Sequence, residues 1–341
     1  MPISQVPFAG ISNPVDFRNI VINGDMQIAQ RSTSVASITT DAYYTVDRFL
    51  TTINTLGTWT QSQSTDVPTG QGFANSFKMD CTTADASPGA ADYLFIRQLF
   101  EGQNLQYLKK GTANALPLTA SFWVKSTKTG TFIVQLLDQD NNRSVSKPYT
   151  VSVTNTWEYK TITFPGDTTG AFDNNNESSL QLRFWLGAGS NFTSGTLNTT
   201  WESGVSANTA VGQVNVADST SNDWLITGVQ LEAGSQASGF EFMPFDIDLM
   251  RCQRYFQIPP GINVYAQVVS RYIGSDQPLA VYMRATPTIT NTFSLGGGAT
   301  QTDQAVYNRG NNGIGLYTQF SGLGGNTGGN ETVNLKLDAE L

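Results

Sequence analysis

The strongest constraint on this chain is a two-residue rhythm. In Leu180-Gln-Leu-Arg-Phe-Trp-Leu186, the residues Leu180, Leu182, Phe184 and Leu186 fall on one side. In Glu158-Tyr-Lys-Thr-Ile-Thr-Phe164, Lys160, Ile162 and Phe164 alternate with Tyr159, Thr161 and Thr163. Successive side chains of a strand point to opposite faces, so this period fits a sheet with one buried and one solvated face. Comparable runs recur at Phe49–Ile53, Ser76–Asp80, Tyr93–Phe100, Leu118–Val124, Thr131–Leu137, Tyr149–Val153 and Trp224–Leu231. Gly, Asn, Asp and Pro punctuate them, as hairpins require. The chain reads as all-β, with a two-sheet jelly-roll sandwich over residues 19–245.

Composition narrows the partners. Charged residues are 13% of the chain, against about 25% in an average soluble domain. Hydroxyls and amides therefore hydrate the surface. A formal net charge of −8 and the lack of a Lys/Arg run give no footprint for nucleic acid or for an anionic membrane. No apolar run approaches the roughly 20 residues of a membrane span. Met1-Pro-Ile-Ser-Gln-Val-Pro7 lacks the basic and apolar regions of a signal peptide, so the expectation is a protein made in a cytoplasm and not secreted. The sequons at Asn176, Asn191, Asn198 and Asn330 then read as chance in an Asn/Thr-rich chain.

The chain has no histidine, which excludes Ser–His–Asp, Cys–His and His-based zinc chemistry. A paired-carboxylate glycosidase needs only two acids. The candidate pairs Asp138/Asp140 and Asp246/Asp248 sit in turn and helix-start contexts and read as caps. Gly296-Gly-Gly298 and Gly322–Gly329 lack the Lys-Ser/Thr of a phosphate loop and read as connections between strands. Cys81 and Cys252 lie far apart without patterned spacing and read as free, buried thiols. The expectation is a non-enzyme.

Residues 1–18 carry Pro2, Pro7 and Pro14 and read as an extended docking arm. Residues 246–258 read as a linker helix. Asp246 or Asp248 caps it, Pro259-Pro260 stops it, and Leu249, Cys252 and Phe256 share one stripe. Residues 259–341 return to strands and form a second, smaller C-terminal β-sandwich. A domain of that size buries a modest core, so association into a trimer is expected.

Several segments carry a resemblance: Asn23-Gly-Asp-Met-Gln-Ile-Ala-Gln-Arg31, Tyr44-Thr-Val-Asp-Arg-Phe49, Ala120-Ser-Phe-Trp-Val-Lys-Ser126, Trp157–Asp167, the stretch from Trp224 through Val229-Gln-Leu-Glu232 to Phe242, Arg251-Cys-Gln-Arg-Tyr-Phe256 and Met283–Ile289. In this order they resemble bacteriophage virion fibre and appendage proteins built on a jelly roll like that of family 4/9-type carbohydrate-binding modules. The resemblance implies a homotrimeric virion structural protein. It would be mounted through its N-terminal arm on other virion proteins and would contact host surface carbohydrate. A capsid decoration, head-fibre or tail-adaptor role is the alternative. Modules of this kind often hold a structural calcium. Here Gln27 and Thr227-Gly228 stand where carboxylates are usual, which leaves Asp25 and Asp223 as weak ligands and a chain without a cofactor as the expectation. For sugar stacking, Trp59 and Trp201 lie in polar surroundings and are the candidates. Trp123, Trp157, Trp185 and Trp224 lie in strand runs and are expected to be buried.

Overall fold

A computed structural model describes residues 17–266, 272–296, 300–322 and 329–341. The arm assigned to 1–18 thus falls almost wholly outside the described residues, as do 297–299 and 323–328 of the two glycine-rich segments.

The chain is all-β, and its larger part is a sandwich of two six-stranded antiparallel sheets. The first has the order β1 (Ser34–Ile38), β3 (Thr58–Ser64), β4 (Ser76–Thr83), β12 (Asp223–Ala233), β6 (Leu118–Ser126), β9 (Glu158–Phe164). The second has the order β11 (Glu202–Ser203), β8 (Arg143–Val151), β7 (Gly130–Asp138), β10 (Ser178–Ala188), β5 (Tyr93–Glu101), β2 (Leu50–Asn54). Neighbours in space are mostly not neighbours in sequence, which is the crossing pattern of a jelly roll. The alternation read in β10 is the one observed. Leu180, Leu182, Phe184 and Leu186 are buried between the sheets, with Phe77, Phe122, Phe132, Phe164 and Trp224 around them. Burying each such side chain is worth about 1.5–3 kcal/mol relative to exposure.

The helix α2 (Phe245–Gln253) follows a short turn, α1 (Ser190–Thr193), in chain order. Two expectations for α2 are corrected. Its cap position is Pro244 without a side-chain cap, and Asp246 and Asp248 occupy its first turn, where their charge favours the helix dipole. It also stops at Gln253, well before Pro259. Phe256–Gln257 forms β13 and pairs with Asp338 and Leu337 of β19 (Gly329–Asp338), so Phe256 leaves the stripe shared by Leu249 and Cys252. Both cysteines are free and buried, as read.

The C-terminal unit is a small sandwich. β13, β19, β14 (Ile262–Ala266) and β16 (Thr288–Gly296) form one sheet, and β15 (Tyr272–Pro278), β18 (Gly313–Gly322) and β17 (Thr300–Asn308) form the other. Its core gathers Met283, Ile314, Val333, Leu335 and Leu337.

The two units are locked by charge and rings. Arg48 is completely buried beneath the Tyr255 ring, pairs with Glu340 and donates to the Leu99 carbonyl at 2.7 Å. Arg31 lies 3.6 Å from the Phe256 ring centroid and pairs with Asp338 at 3.1 Å and Glu340 at 3.3 Å. Arg254 grips Glu101 through two bonds of 2.8 and 2.7 Å, and Tyr255 donates to the same carboxylate. The segments Asn23–Arg31, Tyr44–Phe49 and Arg251–Phe256, read separately in the sequence, meet at this junction.

Candidate functional site: a groove on the outer face of the second sheet

The residues that alternate with the β10 core positions are Gln181, Arg183 and Trp185, and they project from the other face of the second sheet. β5 contributes Tyr93, Phe95 and Arg97 beside them, because Arg183 is registered opposite Arg97 and Trp185 opposite Phe95. β7 adds Gln135 and Leu137, and β8 adds Ser144. The segment after β10 folds over one edge and supplies Phe192 from α1, Gly204, Ser206 and Thr209. Together they enclose a cavity of about 370 Å³, within the range of small-ligand sites.

Four aromatic rings form one wall. Phe95 and Trp185 lie 4.8 Å apart, Trp185 and Phe192 5.5 Å, and Tyr93 meets Phe192 edge-on at 5.4 Å. Phe95 and Trp185 are buried, whereas Tyr93 and Phe192 are half-buried and present ring surface. Such faces suit the apolar side of a sugar ring.

The floor is polar. Gln181 Oε1 accepts from Arg97 Nη1 at 3.0 Å and from Arg183 Nε at 2.8 Å. Gln135 Oε1 accepts from the Trp185 indole at 3.2 Å. Of the lining groups, Gln135 Nε2, Arg97 Nε and Thr52 Oγ1 are buried without a partner, and Gln181 Nε2 and Ser146 Oγ, also unpartnered, belong to the same sheet but not to the lining. Burial, and then the neighbouring Arg97, pull the Arg183 guanidinium down to about 9, and burial lowers Arg97 as well. Among the described residues one carboxylate, Asp41, lines the groove.

The residues singled out from sequence stand elsewhere. Trp59 is corrected: it is fully buried between the sheets, with its indole donating to the Leu56 carbonyl at 2.7 Å, and offers no face to a ligand. Its polar neighbours Thr58 and Thr60 are the outward positions of the same strand. Trp201 is half-buried against the core, donates to the Pro165 carbonyl at 2.7 Å and does not line the groove. Trp185 and Trp224 are buried as expected, but Trp123 and Trp157 are half-buried on the outside of the first sheet, against Tyr159 and Asp66 respectively.

Asp25 and Asp223 do not form a joint calcium site. Gly24 binds the backbone of Val229, whereas Asp223 sits at the opposite end of β12 and is held by Lys78 at 3.1 Å. Asp25 is buried with Oδ1 unpartnered, and burial raises its carboxyl. Among the described residues no group of three acids, cysteines or histidines could hold a metal. Asp138 is equally committed. With Asp167 and the carbonyls of Thr169 and Gly170 it surrounds Lys110 Nζ at 2.5, 3.1, 2.9 and 2.8 Å. A side-chain ammonium thus fills an all-oxygen cage. Asp140 is exposed and caps the Asp173 amide.

The groove residues were legible only in part. A strand with Leu, Leu, Phe and Leu inward and Gln, Arg and Trp outward is unusual for a solvated face, and that was the available signal. Which strands flank β10 is a matter of topology and is not written in any one run.

No protein-family model matches the chain, and no curated protein matches it. Solved structures do resemble it distantly. The enzymatically active domain of bacteriophage CBA120 tailspike protein 4 is 17% identical with a TM-score of 0.34, over 64% of this chain and 22% of that one. A family 4 carbohydrate-binding module is 14% identical with a TM-score of 0.31, over 62% of this chain and 97% of the module. The family 11 carbohydrate-binding module of Clostridium thermocellum, in complex with a mixed-linked tetrasaccharide, is 13% identical with a TM-score of 0.29, over 60% of this chain and 99% of the module. The chain matches about a fifth of the tailspike chain, and at these scores no groove residue inherits a role from any of the three.

Proposed function

We propose that the protein is a non-catalytic saccharide-binding component of a bacteriophage virion, a homotrimeric fibre or appendage that contacts host surface glycans. The observation that carries the binding reading is the groove: a cavity of about 370 Å³ with two half-exposed aromatic rings beside a floor of amides and guanidiniums. Rings and fixed polar groups in one concavity are what sugar recognition needs. Among the described residues one carboxylate, Asp41, lines it, which favours binding over the two-acid chemistry of hydrolysis. The virion assignment, assembly in a host cytoplasm and mounting through the N-terminal segment rest on the ordered motifs that resemble phage appendage proteins.

One observation favours a second reading. Three of the motifs with that resemblance, Asn23–Arg31, Tyr44–Phe49 and Arg251–Phe256, meet at the junction, where Arg48 and Arg31 face Tyr255 and Phe256, and none of the motifs lines the groove. A decoration or adaptor protein would need that mounting and no receptor. Binding of the purified protein to host cells, with competition against phage adsorption, separates the two. Saturable binding that blocks adsorption supports the receptor role, and no binding by a well-folded oligomer supports the structural one.

A further inference from the structure

We infer that the groove selects saccharides bearing a carboxylate, with Arg97 and Arg183 as the pair that receives it. This deepens the glycan reading above and rests on it. Arg97 and Arg183 are registered directly opposite each other on β5 and β10 and project to the same face. Like charges in that relationship destabilise a sheet. An acid beside them would relieve this, yet among the described residues neither forms an ion pair within 4.0 Å. Asp41, the one carboxylate lining the cavity, is exposed and already accepts the Ile53 amide at 2.7 Å.

The hydrogen-bond inventory points the same way. Arg and Trp side chains only donate, so the bonds from Arg97 and Arg183 fix the Gln181 carbonyl oxygen, and the bond from Trp185 fixes that of Gln135. Both amide nitrogens are thereby left as donors, and both lack an acceptor. Of these, the Gln135 amide lines the cavity, and with Arg97 Nε it offers lining donors that have no acceptor. A carboxylate is acceptor-only and matches such donors, above all a guanidinium fork. Both guanidiniums lie over the one Phe95 ring, 4.8 Å from its centroid for Arg183 and 5.7 Å for Arg97, which holds them in place before a ligand arrives.

The test uses the full-length protein on a panel of immobilised bacterial polysaccharides. Acidic members are presented native and after carboxyl reduction to the neutral sugar, beside neutral and sulfated members. Binding is expected to native acidic glycans and to weaken at least about tenfold on carboxyl reduction, as loss of a charge-assisted bond implies. Arg183→Gln and Arg97→Gln should weaken it by a similar factor with melting temperatures unchanged or raised, because the like-charge pair is relieved. Equal binding of native and reduced glycans, binding of sulfated glycans alone, or full affinity in both variants overturns the carboxylate assignment and leaves saccharide binding standing. Absence of binding to every glycan removes the saccharide reading itself, and this inference with it.

Discussion

The Arg48 guanidinium carbon lies 3.4 Å from the centroid of the Tyr255 ring. The two residues are far apart in sequence and belong to different units, and Glu340 and the Leu99 carbonyl complete the shell around Arg48. A buried cation held by a ring face and a carboxylate binds the jelly roll to the C-terminal sandwich.

Arg48→Met leaves Glu340 buried with only Arg31 to answer it. The expected loss is about 3–5 kcal/mol, the usual effect of removing one member of a buried pair. Tyr255→Leu should cost less, and the double variant should show coupling of about 1 kcal/mol. Denaturant unfolding of the four proteins measures this. Strict additivity would mean that the ring and the guanidinium do not interact.

Asp47, beside this junction, is pushed by burial from its ordinary value of 3.8 up to about 6, although Gln30 and Arg31 oppose the rise. Between about pH 4 and 6 the folded protein holds a proton that the unfolded chain has lost. Its contribution to stability therefore falls as pH rises through that window, by an amount on the order of 2–3 kcal/mol. Glu101 and Asp167, lowered by their arginine partners despite burial, act in the opposite sense, losing stability as pH falls. Comparison with Asp47→Asn cancels those common effects. The stability of wild type relative to the variant should decline from pH 4 to 7, and a flat or rising difference contradicts the burial argument.

Lys110→Met empties the oxygen cage around Nζ and leaves Asp138 without its counter-charge. A loss of about 3–5 kcal/mol is expected. The vacated carboxylates and carbonyls are ligands of the type a hard cation takes. Millimolar calcium should then raise the melting temperature of the variant and leave wild type unchanged. A variant indifferent to calcium would show that the cage cannot adapt to a metal.

A Cβ on Gly24 would sit 2.1 Å from the Val229 carbonyl oxygen, which also accepts from Asn19. Neither backbone can give way, because Gly24 and Val229 are themselves hydrogen-bonded at 2.8 Å. Gly24→Ala should cost about 2 kcal/mol, in the range of overpacked sites. A melting temperature equal to wild type would show that the turn at Gly24 can draw back from β12.

Local pattern carried much of the fold and little of the site. The period-two runs of β9, β10 and β19 are visible in the sequence because one face of each is apolar. The same rule places Trp59 inward, out of phase with Thr58 and Thr60, and its polar flanks mislead only when the period is ignored. The end of α2 was not legible, because Phe256 leaves the helix for a partner, Asp338, supplied from the far end of the chain. The groove is hidden for the same reason. Arg97 faces Arg183 only because β5 and β10 pair across a crossing connection, and no run of residues records that juxtaposition.

The central claim is that saccharide is held in the groove of the second sheet. The most direct measurement is the affinity of one bound polysaccharide for wild type, Tyr93→Ala and Trp201→Ala, with melting temperatures recorded alongside. The account expects Tyr93→Ala to lose about tenfold or more, in line with the removal of a stacking ring, and Trp201→Ala to bind as wild type. Full affinity in Tyr93→Ala together with loss in a folded Trp201→Ala would place the site elsewhere and contradict the account.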